Sequence, residues 1–582
     1  MRLTGLGVSA GIGIGKALVL KRGTRDLRFR VPAARVGREL ERLAEARERS
    51  REQLQQIRQR IATSAGTEHA YLFDAQLLML DDAMLIERAA EIIRTERLNA
   101  GSALERALDE ISQLFDRAED AYLRERKGDV GDVVGRLRMN LRAGRNPMDL
   151  SKDLEGPLVL VADEVTPSMI AQLDGQRLAG LVTDAGSWTY HSAILARSIH
   201  VPAVAGLRDA TTLIAPGVLV AVDGASGEVF VEPDPAVLEH VRGRQQRRAA
   251  YEQSLNEYRR LAPVTADGVQ IRLEANVESP DDAVRAREAG ADGIGLFRSE
   301  FLLAAGGEAA LTEEAQYLAY TRLVDSMAPG RVTIRTFDVS EAQLRRGVAG
   351  ANGGGARTPL GLRGVRLSLA MDDMFQTQLR ALLRAATHGP LRIMFPFVSG
   401  VEELRDARAA VERAAAALRS RGEMVPPVPI GVMIEVPSAA MTADLLSEHA
   451  DFFSIGTNDL IQYCLAVDRT DDRVSRLYEP LHPAIIRMLR LVARAGKRRA
   501  LPVAVCGEMA ADPVLLALLV GLGLTEFSMA PTAIPLAKQV LRGLHSDRAA
   551  HIAARALRAR TAAEIEQLLA HFLAPQETVR ND

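Results

Sequence analysis

Apolar positions near the start of the chain repeat with the period of long helices. From Arg35 to about Leu141 the sequence is highly charged and contains no proline. Six apolar residues there share one heptad seam, which Arg47 and Ser50 interrupt: Val36, Leu40, Leu43, Leu54, Ile57 and Ile61. Such a seam is typical of a long amphipathic helix packed along a neighbour. Further periodicities predict a helical hairpin or small bundle, over Tyr71–Leu80, Met84–Ile93 and Ala103–Leu114.

Short β-like runs flank these helices on both sides. Gly13–Leu20 precedes them, and Pro157–Ala162, Gly180–Thr183 and Val218–Asp223 follow, separated by turn residues and helical stretches. Strands that alternate with helices predict an α/β domain, residues 1–34 and 142–236, into which a helical bundle, residues 35–141, is inserted. A charged helical pattern predicts a stiff connector over residues 237–262.

Beyond Pro263 strand and helix signals alternate. Eight β-like runs with helices between them predict a (β/α)8 barrel over residues 263–575. The reactive residues follow the ends of these runs, which is the face where barrel active sites are built. The eight runs are Ile271–Ala275, Gly293–Phe297, Arg331–Phe337, Leu391–Pro396, Ile430–Glu435, Phe452–Ile455, Val503–Cys506 and Glu526–Met529.

Composition narrows the class of protein. A chain of 582 residues exceeds one ordinary core, so several domains are expected. A net charge of −2 gives no broad field for nucleic acid or for an anionic membrane. Two cysteines, Cys464 and Cys506, exclude a disulfide framework and favour a reducing cytoplasm. The start lacks signal-peptide features, and the longest apolar run, Val514–Leu524, is short for a membrane span.

His191 is the candidate nucleophile. It follows the turn that begins at Gly186 and precedes the helical run Ile194–Arg197. Free backbone N–H groups and the helix dipole at such a position stabilise a phosphoryl group on the imidazole. Neutral imidazole is also nucleophilic near neutral pH. The structural alternative is a helix-capping or buried histidine.

Arginines and acids collect at the predicted strand ends. The arginines suit a ligand that carries both phosphate and carboxylate, because each guanidinium binds two oxygens in a plane. Glu435 and Asp459 form a carboxylate pair of the kind that holds Mg²⁺, although pairing with barrel arginines is the alternative. Cys506 ends another strand, where a thiol is either a general acid or an inert core residue. The arginines are Arg298, Arg335, Arg363, Arg366 and Arg469.

Together these segments resemble Enzyme I of the bacterial phosphotransferase system, the phosphoenolpyruvate–protein phosphotransferase family. The resemblance runs from Gly11–Lys16 through Tyr122–Arg126 to Glu526–Met529, nearly the whole chain. Its most specific motifs are the Gly-x-x-Thr-x-His segment that ends at His191, with Ala196-Arg197, and the run Ser454–Tyr463.

The resemblance implies a reaction and a role for each residue. His191 takes the phosphoryl group of phosphoenolpyruvate, with Thr166 and Arg197 supporting it, and passes it to the phosphocarrier HPr. Cys506 protonates enolpyruvate, and Glu435 and Asp459 hold Mg²⁺. The bundle docks HPr, and the barrel forms a homodimer. The implied phosphoenolpyruvate ligands are Arg298, Arg335, Arg363, Asn458 and Arg469.

Three segments depart from the family pattern. Ser187, Trp188 and Tyr190 replace the residues that usually surround the threonine before the histidine. After Arg335 the usual Gly-Gly-Asp-Lys is absent, so no lysine there is credited with substrate binding. Arg357–Pro359 replaces the usual Asn-Pro, and the preceding Gly353–Gly355 predicts either a linker or a closing lid.

Three other functions agree less well with the sequence. Phosphoenolpyruvate synthase and pyruvate phosphate dikinase share the histidine segment and the barrel, but they need a large ATP-binding domain for which this chain has no room. A non-catalytic phosphoenolpyruvate sensor has no need of His191, Glu435, Asp459 and Cys506 together. The nitrogen-regulatory branch of Enzyme I usually carries an additional N-terminal sensory domain. This sequence shows no such domain, so we expect the general or sugar-linked branch.

Overall fold

The structure is a computed structural model that describes most of the chain. It describes residues 1–20, 29–64, 76–77, 79–80, 82–117, 121–141, 155–163, 165, 177–184, 201–306, 310–341, 344, 360–468, 474 and 477–573. Internal contacts divide the chain into two compact units, one built mainly from Met1–Tyr251 and one mainly from Glu252 onward. Among the described helices, none is both long enough and apolar enough to cross a membrane.

The first unit contains an eight-stranded mixed sheet, ordered β1-β8-β7-β3-β4-β5-β6-β2. Its central strands β3, β4, β5 and β6 run parallel, and the remaining pairs are antiparallel. The strands are β1 Arg2–Thr4, β2 Leu6–Ser9, β3 Ile12–Leu20, β4 Leu158–Ala162, β5 Leu178–Thr183, β6 Ala203–Ala205, β7 Leu219–Asp223 and β8 Glu228–Val231. The short helix α5, Ala210–Leu213, precedes β7.

Four long helices are inserted between β3 and β4. They are α1 Val36–Ser64, α2 Ala83–Glu96, α3 Ala100–Arg117 and α4 Ala121–Leu141, and a 3-10 turn, Ala33–Arg35, leads into α1. Leu43 and Leu54 of the predicted seam are buried in the bundle core. Ser50, which interrupts the seam, is buried as well and accepts a hydrogen bond from Asn140 Nδ2 at 2.8 Å. The polar gap in the seam is therefore matched by a polar partner on α4.

The second unit contains a closed parallel barrel of eight strands. All eight predicted strand runs are present, and each pairs with its neighbours in sequence order, β16 closing on β9. The strands are β9 Arg272–Val277, β10 Gly293–Arg298, β11 Arg331–Arg335, β12 Leu391–Phe395, β13 Ile430–Ile434, β14 Phe452–Ile455, β15 Val503–Val505 and β16 Glu526–Met529. Buried aliphatic and aromatic side chains fill these strands, as two-sided burial in a barrel requires.

Helices surround the barrel and connect its strands. A long helix, α6 Pro235–Tyr258, precedes the barrel in sequence. The helices of this unit are Asp282–Glu288, Glu300–Gly306, Glu313–Met327, Val365–Ala370, Asp372–Ala385, Val401–Ser420, Pro437–Met441, Ala443–Leu446, Thr457–Leu465, Pro483–Arg499, Pro513–Gly521, Ile534–Gly543, Ser546–Ala556 and Ala562–Leu573, with 3-10 turns at Ala386–His388, Glu508–Ala510 and Pro531–Ala533.

The predicted fold class is confirmed. An α/β sheet domain carries an inserted helical bundle and is followed by a (β/α)8 barrel. Four strands escaped sequence analysis: β1, β2, β6 and β8, which have at most four residues each. Runs that short carry too few alternating positions to separate a strand from a loop.

Candidate active site

Barrel topology brings the predicted acids and arginines to one end of the second unit. Arg298 and Arg335 are the last residues of β10 and β11, and Glu435 directly follows β13. Asp459 is in the first turn of the helix after β14, and Cys506 follows β15. Since parallel strands end at the same face, residues up to 208 positions apart in sequence share one barrel mouth.

Three of the implied substrate ligands, Arg298, Arg335 and Arg363, each pair with a carboxylate. Arg298 Nη1 is 2.7 Å from Glu278 Oε1, and both side chains are partly exposed. Arg335 is largely buried and pairs with Glu300 and, at 3.0 Å, with Asp338. These carboxylates hold the guanidinium groups in fixed orientations before any ligand arrives, which is the preorganisation that binding of an anion requires.

Arg363 is the most constrained of the three. Its Nη2 lies 2.9 Å from Asp338 Oδ1 and 3.0 Å from Oδ2, and Nη1 donates to the Tyr463 hydroxyl at 3.1 Å. Although burial opposes it, the guanidinium groups of Arg335 and Arg363 hold the pKa of Asp338 below its usual range. Asp338 is therefore ionised at neutral pH.

Asp338, Glu435 and Asp459 form an acidic cluster. Each contributes one carboxylate oxygen, and the three oxygens lie within 4.8 Å of one another. Burial raises the pKa of Glu435 well above its usual value, and the carboxylates of Asp338 and Asp459 raise it further. A bound divalent cation would offset both effects, because its positive charge stabilises the buried Glu435 carboxylate and neutralises the neighbouring carboxylates. Carboxylate oxygens are also the ligands that hard cations prefer. The donor set therefore fits a divalent metal.

Cys506 is buried beside this cluster. Its side chain is 3% exposed, and its Sγ lies 3.6 Å from the carbonyl oxygen of Ile455. Burial raises the pKa of the Cys506 thiol to about 11. The next residue is necessarily small, because a Cβ on Gly507 would lie 1.8 Å from Thr457 Oγ1. Tight packing of this strand end against the helix that carries Asp459 buries the thiol, and burial keeps it protonated.

Asn458 is held by Glu508 on the neighbouring strand end. Its Oδ1 accepts a hydrogen bond from the Glu508 backbone N–H at 3.0 Å. Arg366, also a predicted anion ligand, pairs instead with Glu403 at 2.7 Å. Thr166, His191, Arg197 and Arg469 lie outside the described residues, as do Ser187, Trp188, Tyr190 and Gly353–Gly355.

Sequence reasoning missed three members of this site. Asp338 follows the end of β11 by three residues, a position that barrel logic alone could have marked. Glu300 is the second residue after Arg298 and pairs with Arg335, with its side chain partly exposed. Phe397 follows β12 and donates its backbone N–H to Glu435 Oε1 at 2.6 Å, a contact that no residue-type pattern signals.

Comparison with known proteins decides the family. Three models of phosphoenolpyruvate-utilising enzymes match: the N-terminal domain at residues 4–126, the mobile domain at 154–227 and the phosphoenolpyruvate-binding domain at 252–546. A phosphoenolpyruvate-protein phosphotransferase of Geobacillus stearothermophilus is 40% identical over 579 residues, 96% of each chain. The chain belongs to the phosphoenolpyruvate–protein phosphotransferase family.

Other members of the family align over similar lengths. The protein of that name from Cupriavidus necator is 40% identical, covering 94% of this chain and 95% of its own. The Haemophilus influenzae protein is 36% identical over 98% of this chain and 99% of its own. The structure of an Enzyme I protein in solution matches 42% of this chain with 32% identity and a TM-score of 0.36. The family assignment rests on the sequence relatives, which align over nearly the whole length of both chains.

Proposed function

We propose that this protein transfers the phosphoryl group of phosphoenolpyruvate to its own His191 and from there to HPr, releasing pyruvate. The acidic cluster of Asp338, Glu435 and Asp459 beside Arg335 and Arg363 is the observation that carries the proposal. It combines metal ligands with guanidinium groups, which is what a ligand with a phosphate and a carboxylate requires. Membership of the family supports the same reaction.

The arginines of the barrel mouth bind the substrate in this proposal. Arg298, Arg335 and Arg363 take its anionic oxygens, and Asn458 adds an amide donor. We assign Arg469 to the same set because the resemblance of the chain to the family implies that role. Because their carboxylate partners already orient the described guanidinium groups, little side-chain ordering is left for the moment of binding.

Mg²⁺ is the metal that we assign to the acidic cluster. Glu435 and Asp459 would hold it, and the carboxylate of Asp338 lies close enough to join them. When bound, the ion neutralises negative charge on the phosphoryl group during transfer.

Cys506 supplies the proton that completes the reaction. The phosphorus–oxygen bond of phosphoenolpyruvate breaks as a bond to the His191 imidazole forms, and enolpyruvate is released as an enolate. The Cys506 thiol then donates its proton to the methylene carbon of the enolate, giving pyruvate, and regains a proton from solvent. A pKa of about 11 supports this role because it keeps the thiol protonated at neutral pH.

The remaining parts receive the roles that the family implies. Thr166 and Arg197 support the phosphoryl group on His191, residues 35–141 dock HPr, residues 237–262 connect the domains, and residues 263–575 form the barrel and the homodimer. His191 belongs to the α/β domain, residues 1–34 and 142–236, and must then reach both the barrel mouth and HPr. The two free cysteines suit a cytoplasmic location.

Labelling with phosphoenolpyruvate tests the proposal. The full chain is incubated with Mg²⁺ and ³²P-phosphoenolpyruvate, and an acid-labile phosphoryl group is followed to HPr. His191→Ala should take up no label, whereas His388→Ala, a control at the barrel periphery, should be labelled as well as the wild type. Labelling of His191→Ala would show that the nucleophile is another residue, and labelling from ATP instead would favour a dikinase.

A further inference from the structure

Phe397 has an unusual backbone conformation at the edge of the active site. It lies two residues after the end of β12, with φ at +59° and its side chain 3% exposed. Bulky residues rarely adopt positive φ, and where they do the surrounding structure holds them there. In this conformation the Phe397 N–H reaches Glu435 Oε1 at 2.6 Å. The strained backbone is thus coupled directly to a proposed metal ligand.

The Phe397 ring contacts the guanidinium groups of two arginines. The ring centroid is 5.1 Å from Arg363 Cζ and 4.9 Å from Arg366 Cζ. Tyr463, which accepts a hydrogen bond from Arg363, meets the same ring edge-on at a centroid distance of 5.8 Å. Each cation is within the range at which an aromatic face attracts it.

Gly364 shows how closely the Arg363 loop packs on Phe397. A Cβ added at Gly364 would lie 2.7 Å from Phe397 Cβ, and Gly364 has φ at +56°. The Val365 N–H donates to the Pro396 carbonyl at 3.3 Å, joining the two segments through their backbones. The backbone and Cβ of Phe397 are therefore in close contact with the loop that carries Arg363.

We propose that Phe397 is a positioning residue, whose ring holds the Arg363 guanidinium for the substrate anion while its backbone amide orients Glu435. The inference rests on the proposed function and adds to it. An aromatic face attracts a guanidinium without using any of its N–H donors, so those donors stay available for Asp338, Tyr463 and the substrate.

The two contributions of Phe397 can be separated by substitution. The ring is lost in Phe397→Leu and Phe397→Met and kept in Phe397→Tyr, whereas the backbone N–H is kept in all three. Phe375→Leu is the matched control, because Phe375 is also fully buried in this barrel but packs on the Phe395 ring at 6.0 Å. Steady-state kinetics with phosphoenolpyruvate are measured for each full-length variant, together with Mn²⁺ binding in the absence of substrate.

We expect the loss of the ring to weaken substrate binding alone. The KM for phosphoenolpyruvate should rise about 3- to 30-fold in Phe397→Leu and Phe397→Met, while kcat changes less than about threefold, the range that one cation–π contact commands. Phe397→Tyr and Phe375→Leu should stay within about twofold of the wild-type KM. Mn²⁺ affinity should be the same in all variants, since the N–H bond to Glu435 persists.

Several results would overturn this assignment. Unchanged KM in folded Phe397→Leu and Phe397→Met, an equal rise in Phe375→Leu, or no rescue by Phe397→Tyr would each remove the positioning role. Failure of both Leu and Met variants to fold would make Phe397 a structural residue. A wild-type protein that takes no phosphoryl group from phosphoenolpyruvate would instead refute the proposed function, so the two failures are distinguishable.

Discussion

The Arg363 guanidinium binds both carboxylate oxygens of Asp338, with Nη2 at 2.9 Å from Oδ1 and 3.0 Å from Oδ2. The same carboxylate contacts Arg335 and belongs to the acidic cluster with Glu435 and Asp459. Asp338 thus joins the arginines to the metal ligands. A single substitution there should disturb both halves of the site.

Asp338→Asn is expected to weaken metal binding and substrate binding together. Removing the charge takes one metal-ligand oxygen's charge from the cluster and leaves the guanidinium groups of Arg335 and Arg363 with one fewer anion. Loss of a group next to a metal site typically costs about 10- to 100-fold in affinity. Mn²⁺ titration and the KM for phosphoenolpyruvate report the two effects. Asp372→Asn, at an exposed pair with Arg413, is the control and should change neither. Unchanged Mn²⁺ affinity in Asp338→Asn would exclude Asp338 from the metal site.

Metal-free protein is expected to lose stability as pH rises because of Glu435. Its folded pKa lies well above the ordinary 4.5, since burial and two nearby carboxylates disfavour the charge. Above that ordinary value the folded state retains a proton that the unfolded chain releases, so the free energy of unfolding falls with increasing pH until Glu435 ionises in the folded state too. The thermal midpoint of unfolding, measured in EDTA from about pH 5 to 8, should therefore fall less steeply with increasing pH for Glu435→Gln than for the wild type. Parallel curves would contradict the raised pKa.

Cys506 is expected to resist thiol reagents until the protein unfolds. Its pKa of about 11, against 9.0 for an ordinary thiol, lowers the thiolate fraction near pH 8 about 100-fold, and burial slows access further. The protein has two cysteines, so Cys464→Ser leaves Cys506 as the one thiol to follow. Reaction with an aromatic disulfide reagent should be more than about 100-fold slower in the folded variant than in denaturant. Equal rates would show an accessible thiol with an ordinary pKa and would contradict the burial and the raised pKa of Cys506.

The sequence predicted the elements of the site better than their pairing. Strand ends marked Arg298, Arg335, Glu435, Asp459 and Cys506, because a parallel barrel places every strand end at one face. The pairing of Asp338 with Arg363 could not be predicted, because Arg363 lies 25 positions further on, in a loop whose path local patterns do not determine. The positive φ of Phe397 depends on packing against Gly364, which becomes visible only in three dimensions.

The polar residues at the bundle seam are a second case in which the sequence does not predict the partner of a side chain. Arg47 and Ser50 broke an otherwise apolar repeat and gave no indication of a partner. In the structure Ser50 meets Asn140, and Arg136, which is 1% exposed, donates to Gln53 Oε1 at 3.1 Å. Periodicity identifies the buried face of a helix, whereas the choice of polar partner depends on which helix lies opposite.

Glu274→Gln is expected to destabilise the barrel without affecting catalysis. Glu274 is 1% exposed near the N-terminal end of β9, where it pairs with Arg331 at 2.5 Å and lies 4.0 Å from Arg392. Removing this charge leaves Arg331 with Glu526 as its remaining carboxylate partner, so the cost should stay below the about 3–5 kcal/mol of a fully broken buried pair, and the thermal midpoint should fall. Substrate KM should stay within about twofold, since the network lies at the end of the strands opposite the active site. Glu448→Gln, which breaks an exposed pair with Arg499, should leave both the midpoint and KM unchanged. A higher KM in Glu274→Gln would mean that the two ends of the barrel are coupled through its interior.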